Sequence, residues 1–238
     1  DTVFGDYTIF PLGAVPKRDS PDECRPISDH KRSGLNAATN MAPFQHTLTA
    51  YKDVARFLKR GYAMAVADVR SAFSCLPLDP RLWPHFLFKY YESPSDEKEA
   101  VYMHLHGDFG AASMPGTWHI FFSEVVVPMA RAAGVLTVPV AVYVDDVAVI
   151  APTAAQADAQ MAAFMSWASN LCGINFKKSK FRHATTHGLF LGLWWNSATL
   201  ARTLEESRLV AYLTMLDEFA KASSLSLHQR QVIAGRMH

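Results

Sequence analysis

Two short apolar runs, Val138-Pro139-Val140-Ala141-Val142 and Val147-Ala148-Val149-Ile150, flank the sequence Tyr143-Val144-Asp145-Asp146. Both runs are rich in β-branched residues and too short for helices, so each predicts a buried strand, with the two aspartates where the hairpin turns. The same reading puts a strand over 7–16, a polar hairpin over 17–22 and a returning strand over 25–28. Helical periodicity runs over 45–60 through Leu48, Tyr51, Val54, Ala55, Phe57 and Leu58, with Gly61 as the stop. A small apolar strand over 62–68 ends in a carboxylate, Asp68. Further strands are expected over 82–91 and 101–105, on either side of a solvated loop at 92–99. Helices are expected over 117–133, following Met114-Pro115-Gly116, over 154–171, opened by Pro152-Thr153, and over 205–221, with Leu209, Leu213, Leu216 and Phe219 on one face. Residues 188–195 read as a strand or tight hairpin. Helices mixed with a largely antiparallel sheet predict an α+β fold.

Composition narrows this picture only modestly. With 238 residues and 50% hydrophobic content the chain is able to bury a real core, as one large domain or two subdomains. A net charge of +1 announces no nucleic-acid partner, so any polyanion site has to be a local patch. Three widely spaced cysteines, Cys24, Cys75 and Cys172, argue against a disulfide framework and for a reducing, intracellular setting. There is no signal peptide and no apolar run of about 18 residues, so no membrane role is expected. The chain begins without Met inside a strand and stops in a helix, and both ends read as cuts from a longer protein.

The chemistry centres on three carboxylates. An Asp pair at a turn is common, because Asp favours turns. Asp68, at the end of another central strand, changes the reading, since a carboxylate there and an Asp-Asp tip on an adjacent hairpin together suit two metal ions about 4 Å apart. Three acids without histidine or cysteine ligands fit Mg2+ or Mn2+ rather than zinc. The zinc-like spacing of His183 and His187 with Cys172 lacks a second cysteine, and His104 and His106 read as surface residues. There is no Walker loop and no dinucleotide fingerprint.

In order along nearly the whole chain, these motifs resemble the fingers–palm region of a reverse transcriptase of a retroelement. Lys17-Arg18 with Arg25-Pro26-Ile27-Ser28-Asp29 resembles the basic fingers hairpin, and Leu35-Asn36 follows as in the family. Asp68 with Phe73 resembles the first catalytic motif, Phe109-Gly110-Ala111-Ala112-Ser113-Met114-Pro115 the Phe-Gly motif, and Tyr143-Val144-Asp145-Asp146 the Tyr-x-Asp-Asp motif. Gly173-Ile174-Asn175-Phe176-Lys177-Lys178 resembles the lysine motif, Phe190-Leu191-Gly192 the primer grip, and the tail from Arg208 the start of the thumb in DIRS-type and pararetroviral polymerases. Two departures stand out. Gly107-Asp108 replaces the usual Leu-Pro, which brings an extra negative charge to the nucleotide pocket, and Asn175-Phe176-Lys177-Lys178-Ser179 replaces Asn-Pro-Glu-Lys-Cys.

The resemblance implies a right-hand polymerase palm with an antiparallel sheet and packed helices. Partial fingers would occupy 1–60, palm 61–91, a fingers–palm return 92–116, palm 117–187, a primer-grip hairpin 188–204 and the start of the thumb 205–238. It implies attack by a primer 3′-hydroxyl on the α-phosphorus of a dNTP, with Asp68 and Asp145 bridging two Mg2+ ions and Asp146 in a supporting role. Lys17, Arg25, Phe73, Phe109 and Gly110 would bind the nucleotide, Phe73 excluding the 2′-hydroxyl. Tyr143, Lys177, Lys180, Phe190, Leu191 and Gly192 would hold template and primer. Lys178 would donate a proton to pyrophosphate, although Lys177 and Lys180 compete for that role. Partners would be an RNA or DNA template with its primer, and dNTP. Two other functions share the acids: an RNA-dependent RNA polymerase, disfavoured by Phe73, and a domesticated domain that binds nucleic acid or a partner without catalysis, disfavoured by the intact acids.

Overall fold

The computed structural model describes residues 6–17, 20–90, 100–222 and 224–237. Its first strands are β1 (Ile9–Phe10), β2 (Leu12–Lys17) and β3 (Ser20–Ser28). The strand expected over 7–16 is thus split at Pro11, which has no N–H to give a ladder. β1 runs parallel to a later strand, whereas β2 and β3 form an antiparallel hairpin. The tip at 18–19 lies outside the described residues.

Two expected helices and one expected strand shift. After a short helix α1 (Leu35–Ala38), the helix expected over 45–60 is only α2 (Ala50–Phe57), because the Thr49 hydroxyl donates to the Asp53 carboxylate and marks the start there. Gly61 is not its cap. Leu58 caps the helix, and Gly61, at φ +79°, turns the chain into β4 (Ala63–Asp68). The strand expected over 82–91 is shortened to β5 (Leu87–Tyr90), since Asp79 accepts from the Arg81 backbone N–H and opens a 3-10 turn over Pro80–His85. β5 pairs with β6 (Ala100–Met103) on one side and with β1 on the other, and the loop expected at 92–99 lies outside the described residues. The third helical region begins earlier than expected, as α3 (Met114–His119), continues through a π-helical stretch Ile120–Val126 and finishes as α4 (Val127–Ala132).

The centre of the fold is a four-stranded antiparallel sheet. β7 (Val140–Tyr143) and β8 (Asp146–Ala151) form the expected hairpin, β4 lies beside β8, and the outer neighbour of β4 is β9 (Arg182–Thr185). Strand residues alternate between faces, and here both faces are covered, so β4 and β8 are apolar apart from the acid at one end of each. Ala65, Ala67, Val147 and Val149 pack with Met161 and Phe164 of α5 (Ala154–Cys172). Met64, Val66, Ala148 and Ile150 pack on the opposite side with Val54, Phe190 and Trp195. The last two belong to the hairpin of β10 (His187–Phe190) and β11 (Leu193–Asn196), extended by β12 (Ala201–Leu204). β9 and β12 were not expected. β9 is a polar edge strand, and β12 is exposed along its whole length, so neither carries apolar alternation. Helices α6 (Glu206–Lys221) and α7 (Leu227–Met237) complete the chain. Among the described residues no helix is long and apolar enough to cross a membrane.

Helix α5 backs the sheet, and its first turn is fixed by the Thr153 hydroxyl, which accepts from the Gln156 backbone N–H at 3.2 Å. Thr153→Ala is expected to cost about 1 kcal/mol. That corresponds to a melting temperature lower by about 2–4 °C, checked by calorimetry, with Thr153→Ser largely preserving the cap.

Candidate active site

The open end of the central sheet brings the three acids together. Asp68 is the last residue of β4 and pairs in register with Asp146, the first residue of β8, which in turn faces Tyr143 across the hairpin. Asp145 occupies the turn. Val144 before it holds φ +52°, a left-handed conformation that a β-branched residue adopts only when surrounding contacts hold it. Those contacts are present: the indole N–H of fully buried Trp118 donates to the Val144 carbonyl at 2.7 Å, and the Val69 N–H donates to the Asp145 carbonyl at 2.8 Å. Trp118 shows no sign in the sequence that it supports this turn, because its apolar helical setting reads as ordinary core.

Like charges so close require compensation. Burial, then the neighbouring Asp145 and Asp68 carboxylates, push Asp146 up to about 6, while Lys180 and Lys177 pull the other way. Burial and Asp68 also raise Asp145. The Lys177 ammonium contacts Asp68 Oδ1 and lies 4.0 Å from Asp145 Oδ2, and Lys180 Nζ donates to Asp68 Oδ2 at 3.0 Å. That hydrogen bond raises the Lys180 pKa. Lys178, the expected proton donor, stands apart. The Lys177 N–H donates to the Asp68 carbonyl, which anchors residue 177 beside the acid. The following 3-10 turn over Lys178–Lys180, with three residues per turn, returns residue 180 to the same side, so Lys177 and Lys180 pair with Asp68 and Lys178 does not.

The residues fit a hard divalent cation by donor chemistry rather than by a ready-made cage. Among the described residues no three acidic, histidine or cysteine groups stand preformed around a common point. The two ammonium groups instead pair with Asp68 and partly neutralise its neighbours. Carboxylates whose protonation is favoured by mutual repulsion are groups whose charge a divalent ion would stabilise, and Mg2+ characteristically takes few protein ligands alongside substrate phosphates.

The expected nucleotide-binding residues are brought together in part. Phe73 is buried in a 3-10 turn just after β4, with its ring centroid 5.0 Å from that of half-exposed Phe109. Phe109 and Gly110 are docked on the end of β3, where the Ser28 N–H donates to the Phe109 carbonyl at 2.9 Å. Gly110 adopts φ +154°, and a Cβ there would overlap the Ser28 carbonyl oxygen. Asn36 clamps the same segment, donating to the Gly110 carbonyl at 2.9 Å and accepting from the Ala112 N–H at 2.8 Å. Arg25 is exposed on β3 and forms no ion pair with the acids among the described residues. The Lys17 backbone ends β2, and its side chain lies outside the described residues.

Phe190, Leu191 and Gly192 form the β10–β11 turn, with Leu191 and Gly192 both at positive φ and Phe190 buried. A groove of about 640 Å3 runs from Asp68, Asp146 and Lys180 to Leu191, Gly192 and Arg208. Tyr51 donates its hydroxyl to the Leu191 carbonyl at 3.0 Å and meets Tyr143 edge-on at 6.3 Å, so the turn is tied to the acid hairpin. Arg208, from α6, reaches the same carbonyl at 3.4 Å. Neither contact shows in the sequence: Tyr51 lies on a helix far along the chain from the turn it holds, and Arg208, on the helix that follows the hairpin, reaches the turn only because that helix folds back over it.

Comparison with known proteins follows the same lines. The family model "Reverse transcriptase (RNA-dependent DNA polymerase)" matches residues 15–195. No curated protein matches the sequence. Among solved structures, the foamy viral protease-reverse transcriptase dRH in complex with double-stranded DNA is similar at TM-score 0.66 and 19% identity, over 96% of this chain and 35% of that one. The foamy viral protease-reverse transcriptase in complex with RNA/DNA hybrid is similar at TM-score 0.65 and 18% identity, over 96% of this chain and 27% of that one. The chain therefore spans about a third of the length of these relatives, and at such identities the likeness concerns the fold.

The raised Asp146 carboxyl has a measurable consequence. In the unfolded chain it would ionise near pH 4, whereas in the fold it stays protonated up to about 6. Its stabilising contribution is thus complete below about pH 4 and is lost as pH rises through about 6. At pH 7.5 without divalent ions, Asp146→Asn is expected to raise the melting temperature by about 2–6 °C, from about 1–2 kcal/mol of relieved repulsion after solvent screening. Added Mg2+ should stabilise the wild type at pH 7.5, much less at pH 5, and the variant less than the wild type. Thermal scans with and without Mg2+ check all three.

Proposed function

The chain belongs to the reverse transcriptase family, its family model covering residues 15–195, and from that premise we propose that it forms the fingers and palm of an RNA-directed DNA polymerase from a retroelement. The observation that carries the proposal is the convergence of Asp68, Asp145 and Asp146 at one end of the antiparallel sheet, beside a groove large enough for a primer end. Residues 1–60 would be partial fingers, 61–91 and 117–187 the palm with a fingers–palm return over 92–116 between them, 188–204 the primer-grip hairpin, and 205–238 the start of a thumb of DIRS or pararetroviral type. An intracellular setting accords with the free thiols of Cys24, Cys75 and Cys172.

In this reading the three carboxylates would hold two Mg2+ ions. When bound, the ions would supply the Lewis acidity that activates the primer 3′-hydroxyl and offsets charge on the leaving pyrophosphate. The chain's own residues do the rest. Asp68 and Asp145 face the reacting atoms, and Asp146 supports them from the start of β8. Lys177 and Lys180, which keep Asp68 paired, turn to the triphosphate once it enters. Lys180 takes the proton-donor role in preference to Lys178, because it reaches the acids and stays protonated. Phe73, backed by Phe109, packs under the sugar and leaves no room for a 2′-hydroxyl. Arg25 and Lys17 would bind the triphosphate. Tyr143, Leu191 and Gly192 hold the primer end, with buried Phe190 anchoring their turn.

Primer extension on an RNA template with a DNA primer, Mg2+ and either dNTP or rNTP tests the reading. The wild type is expected to incorporate dNTP. Asp145→Asn or chelation of Mg2+ should lower the rate at least about 1,000-fold, the scale at which charge stabilisation of a transition state is lost. Phe73→Ala should admit rNTP. Activity that survives both Asp145→Asn and chelation would defeat the mechanism, and preferential rNTP use by the wild type would point to an RNA polymerase. A separate expectation ranks the lysines: Lys180→Ala should lower kcat about 10- to 100-fold, and Lys178→Ala by less than about threefold, measured by single-turnover incorporation.

A further inference from the structure

Asp108, the residue that departs from the family pattern, is buried, and nothing in the proposed chemistry uses it. The buried polar residues among those described are Ser28, His30, Asp68, Asp108 and Ser197. Asp68 belongs to the acid cluster, and Ser197 closes a turn by donating to the Tyr62 carbonyl. The remaining three sit together at the base of the Phe109-Gly110 segment. His30 Nε2 and Asp108 Oδ2 are 2.9 Å apart, Ser28 also hydrogen bonds the carboxylate, and His104 Nε2 stands 4.0 Å from the same oxygen. The His30 ring is fully buried, with Phe10 at 4.4 Å and Phe86 at 5.0 Å between ring centroids. His104, read from the sequence as a surface residue, stacks on Phe10 at 5.7 Å and is only half-exposed.

We propose that Asp108, gripped by His30, is a positioning residue that fixes the Phe109-Gly110 segment against the end of β3 and thereby sets the shape of the nucleotide pocket. The inference rests on the polymerase reading. An aromatic box of this kind would accept an apolar pair with no desolvation cost, so what the buried polar pair adds is direction: a hydrogen bond is formed at one angle and in one register. The register matters because the next residue, Phe109, meets Phe73, and the one after it, Gly110, has no space for a side chain beneath it. Asp108 lies between two other ties of the segment, the Gly107 N–H on the Leu76 carbonyl at 2.8 Å and the Ser28 N–H on the Phe109 carbonyl at 2.9 Å. Without the carboxylate these remain, but the side-chain link between the segment and residue 30 is gone. Phe109 is half-exposed and would then be free to shift away from Phe73.

Two measurements on the whole protein test this. The first is amide hydrogen exchange without nucleotide or template. Asp108→Ala is expected to raise exchange at residues 109–112 about tenfold or more while leaving the 140–151 hairpin unchanged. The second is steady-state incorporation, in which Asp108→Ala should raise the dNTP KM about tenfold with kcat within about threefold. Asp108→Asn, whose amide oxygen still accepts from His30, should recover most of both. If Asp108→Ala does not fold, His30→Phe serves instead, since it keeps the ring between Phe10 and Phe86 but removes the donor, and the same changes are expected. Unchanged exchange at 109–112, or a loosened segment with an unchanged KM, overturns the proposal. Wild-type protein that incorporates no nucleotide overturns the polymerase reading instead, a distinct result because the exchange measurement needs no activity.

Discussion

Three carboxylates at the end of a sheet that is apolar on both faces set the terms for the rest of this structure. β4 is buried along its length and β8 from Val147 onward, so charge sits where the strands run out. Bringing Asp68 and Asp146 into register there, with Asp145 in the adjoining turn, creates repulsion that burial makes worse, as the raised Asp145 and Asp146 carboxyls record. The chain answers with two ammonium groups from the segment after α5, one of them tied by its own backbone N–H to Asp68. Cluster and counter-charge are therefore one unit, in which the acids favour cations and the lysines hold the acids ready for them.

The strained turn that carries Asp145 is maintained by neighbours rather than by local propensity. Val144 in a left-handed conformation is unfavourable by itself, and it is held by an indole N–H from one helix and by a backbone bond from the residue after Asp68. The β10–β11 turn follows the same logic, with positive φ at Leu191 and Gly192 and a shared carbonyl that Tyr51 and Arg208 both reach. Both turns border the groove, and both are fixed by side chains from other elements. A site built this way keeps its geometry because the scaffold around it is close-packed.

The same principle extends to the aromatic side of the site. Phe73 is set by the turn after β4, while Phe109 is set by the docking of its segment on β3, through Asn36, Ser28 and the Asp108–His30 pair. The segment after β3 and the Phe109-Gly110 segment thus meet in a buried polar contact rather than a purely apolar one. Polar contacts fix register where apolar ones tolerate sliding, which suits a boundary that has to define a pocket.

Much of the centre was legible in the sequence. The β7–β8 hairpin, the strand ending at Asp68 and helix α5 all follow from residues that report their own environment: continuous β-branched runs for strands covered on both faces, and a Thr cap for the helix. The ordered motifs were enough to group the three acids with Phe73, Phe109 and Gly110. What the sequence could not specify was which polar side chains meet. β9 and β12 carry no apolar alternation, so their pairing depends on partners already in place. Lys177, Lys178 and Lys180 are equivalent as letters, and only the 3-10 turn after Asn175 and Phe176 turns two of them toward Asp68 and not the third. Asp108 was an unexplained charge until His30, far earlier in the chain, was found against it. Hydrophobic burial is written locally, in periodicity, whereas hydrogen bonds and ion pairs need two groups at a fixed distance and angle, and that distance exists only once the chain has folded.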